Sequence, residues 1–203
     1  MIARRFAARR QREPVTRLLG VDLGERRIGL AIADRDGGSA FAFTTLSRAR
    51  DTAADAAAIA RVAADQAVDE LIVGLPLHAN GDEGAQAAVT REWVAAVAPI
   101  LGLPVTFRDE RLTSHLAESR VGPMKRGRSG GPPTRAQRDA YRARIDREAA
   151  AIILQDELDA RAAAAGETAG TSDLATNASD LATNTTRRAP GPSRTDNDTE
   201  TPR

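Results

Sequence analysis

RLLGVDLGERRIGLAIAD, residues 17–34, decides the fold. Two short apolar runs, Leu18 to Val21 and Ile28 to Ala33, flank a Gly-containing turn, which is the pattern of a β-hairpin. Strand side chains alternate between faces, so Val21 and Leu23 share one face while Asp22 points to the other, a carboxylate displayed at a fixed point on the open side of a sheet. Gly24 lets the backbone turn and a ligand come close, and Gly29 removes a side chain from the facing strand. Together they suit a phosphate or a metal beside Asp22. An Asp capping an ordinary turn would leave the same trace.

Outward from the hairpin, Asp36-Gly37-Gly38 makes a turn and Ser39 to Leu46 supplies a third strand, completing an antiparallel meander. Asp51 to Gln66 is Ala-rich with Ile59, Val62 and Ala63 on one stripe, a helix that packs on the sheet. ELIVGLP, residues 70–76, reads as a buried parallel strand reached by that crossover helix. It leads into the polar loop 77–84 and a helix with Val89, Trp93, Ala96, Val97 and Ile100 on one face. His78 lies in the loop, where a lone imidazole is usually solvated, and receives no role. Residues 104–118, PVTFRDERLTSHLAE, repeat the opening theme: a strand, Val105 to Phe107, runs into Asp109, Glu110 and Arg111, with a helix beginning near Thr113. One of Asp109 and Glu110 shares the face of Asp22 if the two strands are neighbours. Alternation alone leaves open which.

Gly122 to Arg138 is a Gly/Pro break carrying Lys125, Arg126, Arg128, Arg135 and Arg138, a flexible basic loop suited to a polyanion. From about Thr134 to Ala165 a helix is expected, with Ile145, Ala149, Ile152 and Asp156 in one row and Asp146, Ala150, Ile153 and Glu157 in the next. Its small residues allow it to lie close to the sheet, with Asp146 at the edge of the buried face. A partly buried Asp without a cationic partner is costly, and a metal ion is one way to neutralise it. Residues 1–16 form a basic arm, and 166–203, with SDLATN at 172–177 and again at 179–184, read as a disordered low-complexity tail. Residues 17–165 are left as the folded domain.

Lys and Arg nearly balance Asp and Glu, 29 against 28, so whole-chain charge indicates no partner. The absence of cysteine excludes disulfides, thiolate-ligated zinc and thiol catalysis, and two histidines are too few for a multi-His site. Carboxylates are the remaining route to chemistry. No apolar run approaches the ~20 residues of a membrane span. The Arg-rich start lacks a signal core, so a cytoplasmic protein is expected.

Three strands, then helix, strand, helix, strand, helix, loop and helix, with acids on the first strand, after the last strand and on the final helix, is the layout of a ribonuclease H-like α/β sheet. Oxygen donors suit Mg²⁺ or Mn²⁺, and two such ions about 4 Å apart can hold the attacking water and the leaving oxygen of a phosphodiester in line. At this point GVDLGERRIGLAIAD (20–34), IVGLPLHANGDEG (72–84), DERLTS (109–114) and IDREAAAIILQ (145–155) resemble, in order, the blocks of the YqgF or RuvX family, pre-16S rRNA nucleases once described as Holliday junction resolvase-like. The resemblance implies a ribonuclease H-like fold, and Asp22, Glu110 and Asp146 as the acidic triad, which selects Glu110 over Asp109. It also implies metal-dependent cleavage during maturation of the 16S rRNA 5′ end. The 122–138 segment is longer than the usual connector, and the arm and tail fall outside the resemblance.

The resulting expectation is a hydrolase in which Asp22, Glu110 and Asp146 hold one or two divalent ions. Lys125, Arg126 and Arg128 would screen the nucleic-acid backbone, and Arg27 and Arg111 would orient carboxylates or a phosphate. Pre-rRNA is the expected partner, with structured DNA and ribosomal particles as others, and the chain a monomer or homodimer. The rivals are a resolvase of four-way DNA junctions, which needs two active sites, a catalytically silent RNA- or ribosome-binding module, and an actin-like nucleotide-binding fold, for which the chain is too short.

Overall fold

The structure, a computed structural model, describes residues 16–111, 113–124 and 132–184; for Ser114 and residues 168–184 only the backbone is described. The basic arm up to Val15 and the loop residues Lys125, Arg126 and Arg128 therefore lie outside the described residues. In chain order the elements are β1 (Arg17–Leu23), β2 (Arg27–Asp34), β3 (Phe41–Ser47), α1 (Thr52–Gln66), β4 (Glu70–Leu75), α2 (Ala85–Leu101), β5 (Val105–Asp109), α3 (Thr113–Val121) and α4 (Arg135–Asn184).

The five strands form one sheet in the order β3-β2-β1-β4-β5. β1 pairs antiparallel with β2 and parallel with β4, and β4 pairs parallel with β5. This is the mixed ribonuclease H-like sheet anticipated from the sequence, and its strand periodicity explains both layers. Leu19, Val21, Leu23, Ile28, Leu30, Leu71 and Val73 face a core completed by Ile59 of α1 and by Trp93 and Val97 of α2. The alternate residues Leu18, Ala31, Ala33 and Ile72 face Ala150, Ile153 and Leu154 of α4. Asp51 caps α1, its carboxylate accepting from the Ala53 N–H at 3.0 Å, which satisfies one of the free donors of the first turn.

Two expectations are corrected. On α2 the buried side chains are Ala87, Thr90, Trp93, Val94 and Val97, while Val89 and Ile100 are exposed at 40% and 56%. Trp93 and Val97 stay on the buried face, which extends to Ala87, Thr90 and Val94, and the Trp93 indole N–H donates to Asp55 of α1 at 3.1 Å. The helix starting at Arg135 takes in the last residues of the expected loop and runs past Ala165 to Asn184, through both SDLATN copies. Its sequence carries no proline between Pro133 and Pro190, and the helix passes over Gly166 and Gly170.

α4 lies unusually close to the sheet. A Cβ on Gly29 would sit 2.0 Å from the Asp146 carbonyl oxygen, and one on Gly20 would sit 2.7 Å from that of Ala150. These glycines are the reason the helix backbone can dock directly on β1 and β2. Further along, a buried ionic network pins α4 to β4 and β5. Arg161 bonds Glu70 in bidentate fashion at 2.6 and 3.0 Å and Glu157 at 2.5 Å; Arg108 bonds the other Glu157 oxygen, and Thr106 donates to Glu70 at 2.9 Å. The guanidinium of Arg161 holds the Glu70 carboxyl below its ordinary range.

Candidate active site

The α4-facing side of the sheet carries the acids. Asp22, near the end of β1, pairs across the hairpin with Gly29, which the backbone of Asp146 covers. The missing side chain that the sequence reading gave to an approaching ligand is filled by a helix, and that contact brings Asp146 to Asp22. Gly24 serves the turn: its N–H donates to the Arg27 carbonyl at 3.0 Å. On the other flank, Glu110 follows β5 and its N–H donates to Leu75 O at 3.2 Å. Its carboxylate lies over Gly74, where a Cβ would come within 2.3 Å of Oε2.

The choice between Asp109 and Glu110 now has a structural reason. Arg108 points toward α4 and pairs with Glu157, so Asp109 turns to the opposite face, and the chain returns Glu110 to the α4 side. Asp109 is instead bonded by Arg111, through its N–H at 2.9 Å and its guanidinium at 2.6 Å. Arg111 also donates to Ala79 O at 3.2 Å and is thereby occupied with the β4–α2 loop, away from the acid group. Arg27 lies inside the site and bonds the Asp146 carboxylate. His78 ties the loop together through its backbone, N–H to Asp82 O and O to Gly81 N–H, both at 2.8 Å.

The electrostatics of the three acids differ. The Asp22 carboxyl is pushed up from 3.8 to about 8, first by burial and then by the charges of Glu110 and Asp146. Glu110 is pushed up from 4.5 to about 7, first by burial and then by Asp109. Among the described residues neither carboxylate receives a side-chain hydrogen bond or ion pair; only Asp146 has a cation. Like-charge crowding in a partly dry site leaves a deficit of positive charge at Asp22 and Glu110. No group of three acids or imidazoles among the described residues is drawn together tightly enough to grip an ion. The donor set still suits a hard divalent cation, since it is all oxygen and two of its members lack any counter-charge. Asp146 would join such a cation by sharing or releasing Arg27.

Asp22 lies at the carboxyl end of β1 and Glu110 just beyond that of β5, on the edge where open α/β sheets bind their ligands. A RuvX family model, described as Holliday junction resolvase, matches residues 16–160. The chain belongs to the RuvX family. Over 146 residues it is 48% identical to a protein of Anaeromyxobacter dehalogenans named "Putative pre-16S rRNA nuclease", the match covering 72% of this chain and 98% of that protein. Proteins of the same name from Synechococcus elongatus and Chloroflexus aggregans are each 42% identical, over 72% and 71% of this chain and 91% and 94% of theirs. Among solved structures, Thermus thermophilus RuvC in complex with Holliday junction substrate aligns at a TM-score of 0.44 and 14% identity, over 73% of this chain and 96% of that one. The RuvX family is one of nucleases, and no described helix of this RuvX chain is long and apolar enough to cross a membrane.

Nothing local in the sequence pointed to Glu70 of β4 and Arg108 of β5 as partners of Arg161 and Glu157 on α4. Glu157 stood in its helical row, and the buried side of that row was the signal for a partner. Of the glycines beneath α4 and Glu110, Gly29 reads in sequence as room for a ligand, and Gly20 and Gly74 carry no local signal.

Proposed function

We propose that this chain is a cytoplasmic endonuclease dependent on Mg²⁺ or Mn²⁺ and acting on the 5′ end of pre-16S rRNA, with Asp22, Glu110 and Asp146 as the metal-holding, catalytic acids. The observation that carries it is the pair of carboxyls, Asp22 and Glu110, crowded against a third acid on α4 with no cation of their own. A bound divalent ion would supply positive charge to the phosphodiester and acidify a water near it. The protein's own part is positional. Asp22 sits on a central strand, Glu110 just beyond an edge strand, and Asp146 is aimed by Arg27, so the acids are held by the sheet and α4 rather than by a free loop. At neutral pH Asp22 and Glu110 retain protons a cation would displace.

The RuvX description favours a second reading, resolution of four-way DNA junctions, which requires paired active sites and hence two copies of the chain. One experiment separates the readings. Purified protein is incubated with an RNA spanning the 16S 5′ precursor junction and, separately, with a four-way DNA junction, each with Mg²⁺, Mn²⁺ or EDTA. Metal-dependent cutting of the RNA that is lost in Asp22→Asn and Asp146→Asn supports the first reading. Symmetric cutting of the DNA alone replaces it with the second, and binding without cutting of either leaves a silent binding module.

A further inference from the structure

A cleft of about 480 Å³ opens beside the acid group, between the β1–β2 turn, the end of β3 and the first turns of α4. Arg27 lines it, as do Arg26 next to it and Arg135, Arg138 and Arg142 along α4; Asp139 is the one acid in its wall. Two of these arginines are committed, Arg27 to Asp146 and Arg135 to Asp139 at 3.8 Å. Arg26, Arg138 and Arg142 pair with no carboxylate among the described residues, and all three are exposed. Arg138 and Arg142 are four apart on one helix and share a face, and Arg26 meets them from the turn opposite. Arg138 also donates to the Pro133 carbonyl, which leaves its charge uncancelled; three guanidinium groups without a carboxylate partner converging on one groove repel one another, and that arrangement is relieved by an anion with several oxygens spread along a line.

We propose that this cleft holds the sugar–phosphate backbone of the RNA strand next to the cleaved bond, with Arg26, Arg138 and Arg142 each contacting phosphate. The inference rests on the nuclease reading for the identity of the strand and extends it by giving the strand a path. Arg27 belongs to both places: one guanidinium touches Asp146 and lines the cleft, so a strand at the acids continues into the cleft on the β2–β3 side of the sheet. The larger cavity on the β5 side, about 700 Å³, is lined by Arg108 and Arg111, whose charges are spent on Glu157 and Asp109. It offers an RNA strand less.

The test is equilibrium binding in EDTA, where nothing is cut, using a single-stranded RNA of about 20 nucleotides at roughly 50 to 200 mM salt. Arg26→Gln, Arg138→Gln and Arg142→Gln are combined, and Arg61→Gln, on α1 across the sheet, is the control. Three lost phosphate contacts should lower the slope of log affinity against log salt by about 2 and weaken binding roughly 10- to 100-fold near 100 mM salt. Arg61→Gln should leave both unchanged. Arg142→Glu alone, on an exposed helix face, should weaken binding further than Arg142→Lys and serves if the triple variant melts early. A triple variant with the wild-type slope overturns the cleft even if the enzyme cuts RNA. Wild-type protein that binds with the predicted slope but cuts nothing overturns the nuclease reading and leaves the cleft standing.

Discussion

Asp22→Asn removes a charge that folding has to bury, and its consequence for stability can be worked from the site. The Asp22 carboxyl ionises near 3.8 in the unfolded chain and near 8 in the folded one. Below the lower value it is protonated in both states and costs nothing. Between the two the unfolded state has released its proton while the native state still holds it, so wild-type stability falls as pH rises from about 4 to about 8, by up to about 1.4 kcal/mol per pH unit. The full shift would cost about 6 kcal/mol, but Asp22 is only partly buried, and screening by water brings the expected cost to roughly 1–3 kcal/mol. Asparagine has no such charge. Asp22→Asn should therefore be more stable than wild type by about 1–3 kcal/mol at pH 8, or roughly 2–4 °C of melting temperature per kcal/mol. It should be equal to wild type near pH 4. The assay is thermal or urea unfolding in EDTA at pH 4, 6 and 8. A variant less stable than wild type at pH 8, or one whose difference does not grow with pH, refutes the reasoning.

Other outcomes follow from neighbouring contacts. Gly29→Ala places a Cβ 2.0 Å from the Asp146 carbonyl, a backbone atom that cannot swing aside; it should cost about 2–4 kcal/mol in unfolding and lower activity with it. Gly74→Ala meets the movable Glu110 carboxylate at 2.3 Å and the Ile153 methyl at 2.6 Å, so cleavage should fall more than stability does when both are measured on one preparation. Arg161→Met leaves Glu157 to Arg108 and Glu70 to Thr106 and Arg35, and the lost charge-assisted bonds should cost about 1.5–3 kcal/mol in chemical denaturation at pH 7. Because Glu70 is held below its ordinary range, the loss should shrink as pH falls through the carboxylate range, where the wild type also gives up the network.

The strands were legible because residues 17–34 show two apolar runs around a Gly-containing turn, and 70–76 a continuous apolar run that the structure buries along β4. Asp22 could be assigned a face by strand alternation. Glu110 could not, because alternation through Arg108, Asp109 and Glu110 is anchored only by knowing that Arg108 reaches Glu157, a contact 49 residues away. Long-range partners of this kind leave no local trace. The closeness of α4 is a second example: Gly29 reads as room for a ligand, and only the fold shows that α4 lies over Gly20 and Gly29 and reaches Gly74 through Ile153. On α2 the buried face takes in Thr90 and Val94 in place of Val89 and Ile100, a choice set by packing on α1 and the sheet that a hydrophobic pattern with apolar residues on several sides does not encode. The Arg-lined cleft joins residues 26–27 to 135–142: Arg135 and Arg138 already stood out in the basic segment, but no window along the chain brings Arg26 and Arg142 to them.

The central claim is that Asp22, Glu110 and Asp146 form a site for a divalent cation, and calorimetric titration of Mn²⁺ at pH 7 in two buffers of different ionisation enthalpy tests it most directly. With Asp22 near 8 and Glu110 near 7, binding should expel about one to two protons per ion, so the measured heat should differ between buffers. Asp22→Asn should bind more weakly and release fewer. No binding at millimolar Mn²⁺, or equal affinity and equal proton release in wild type and Asp22→Asn, would contradict the account.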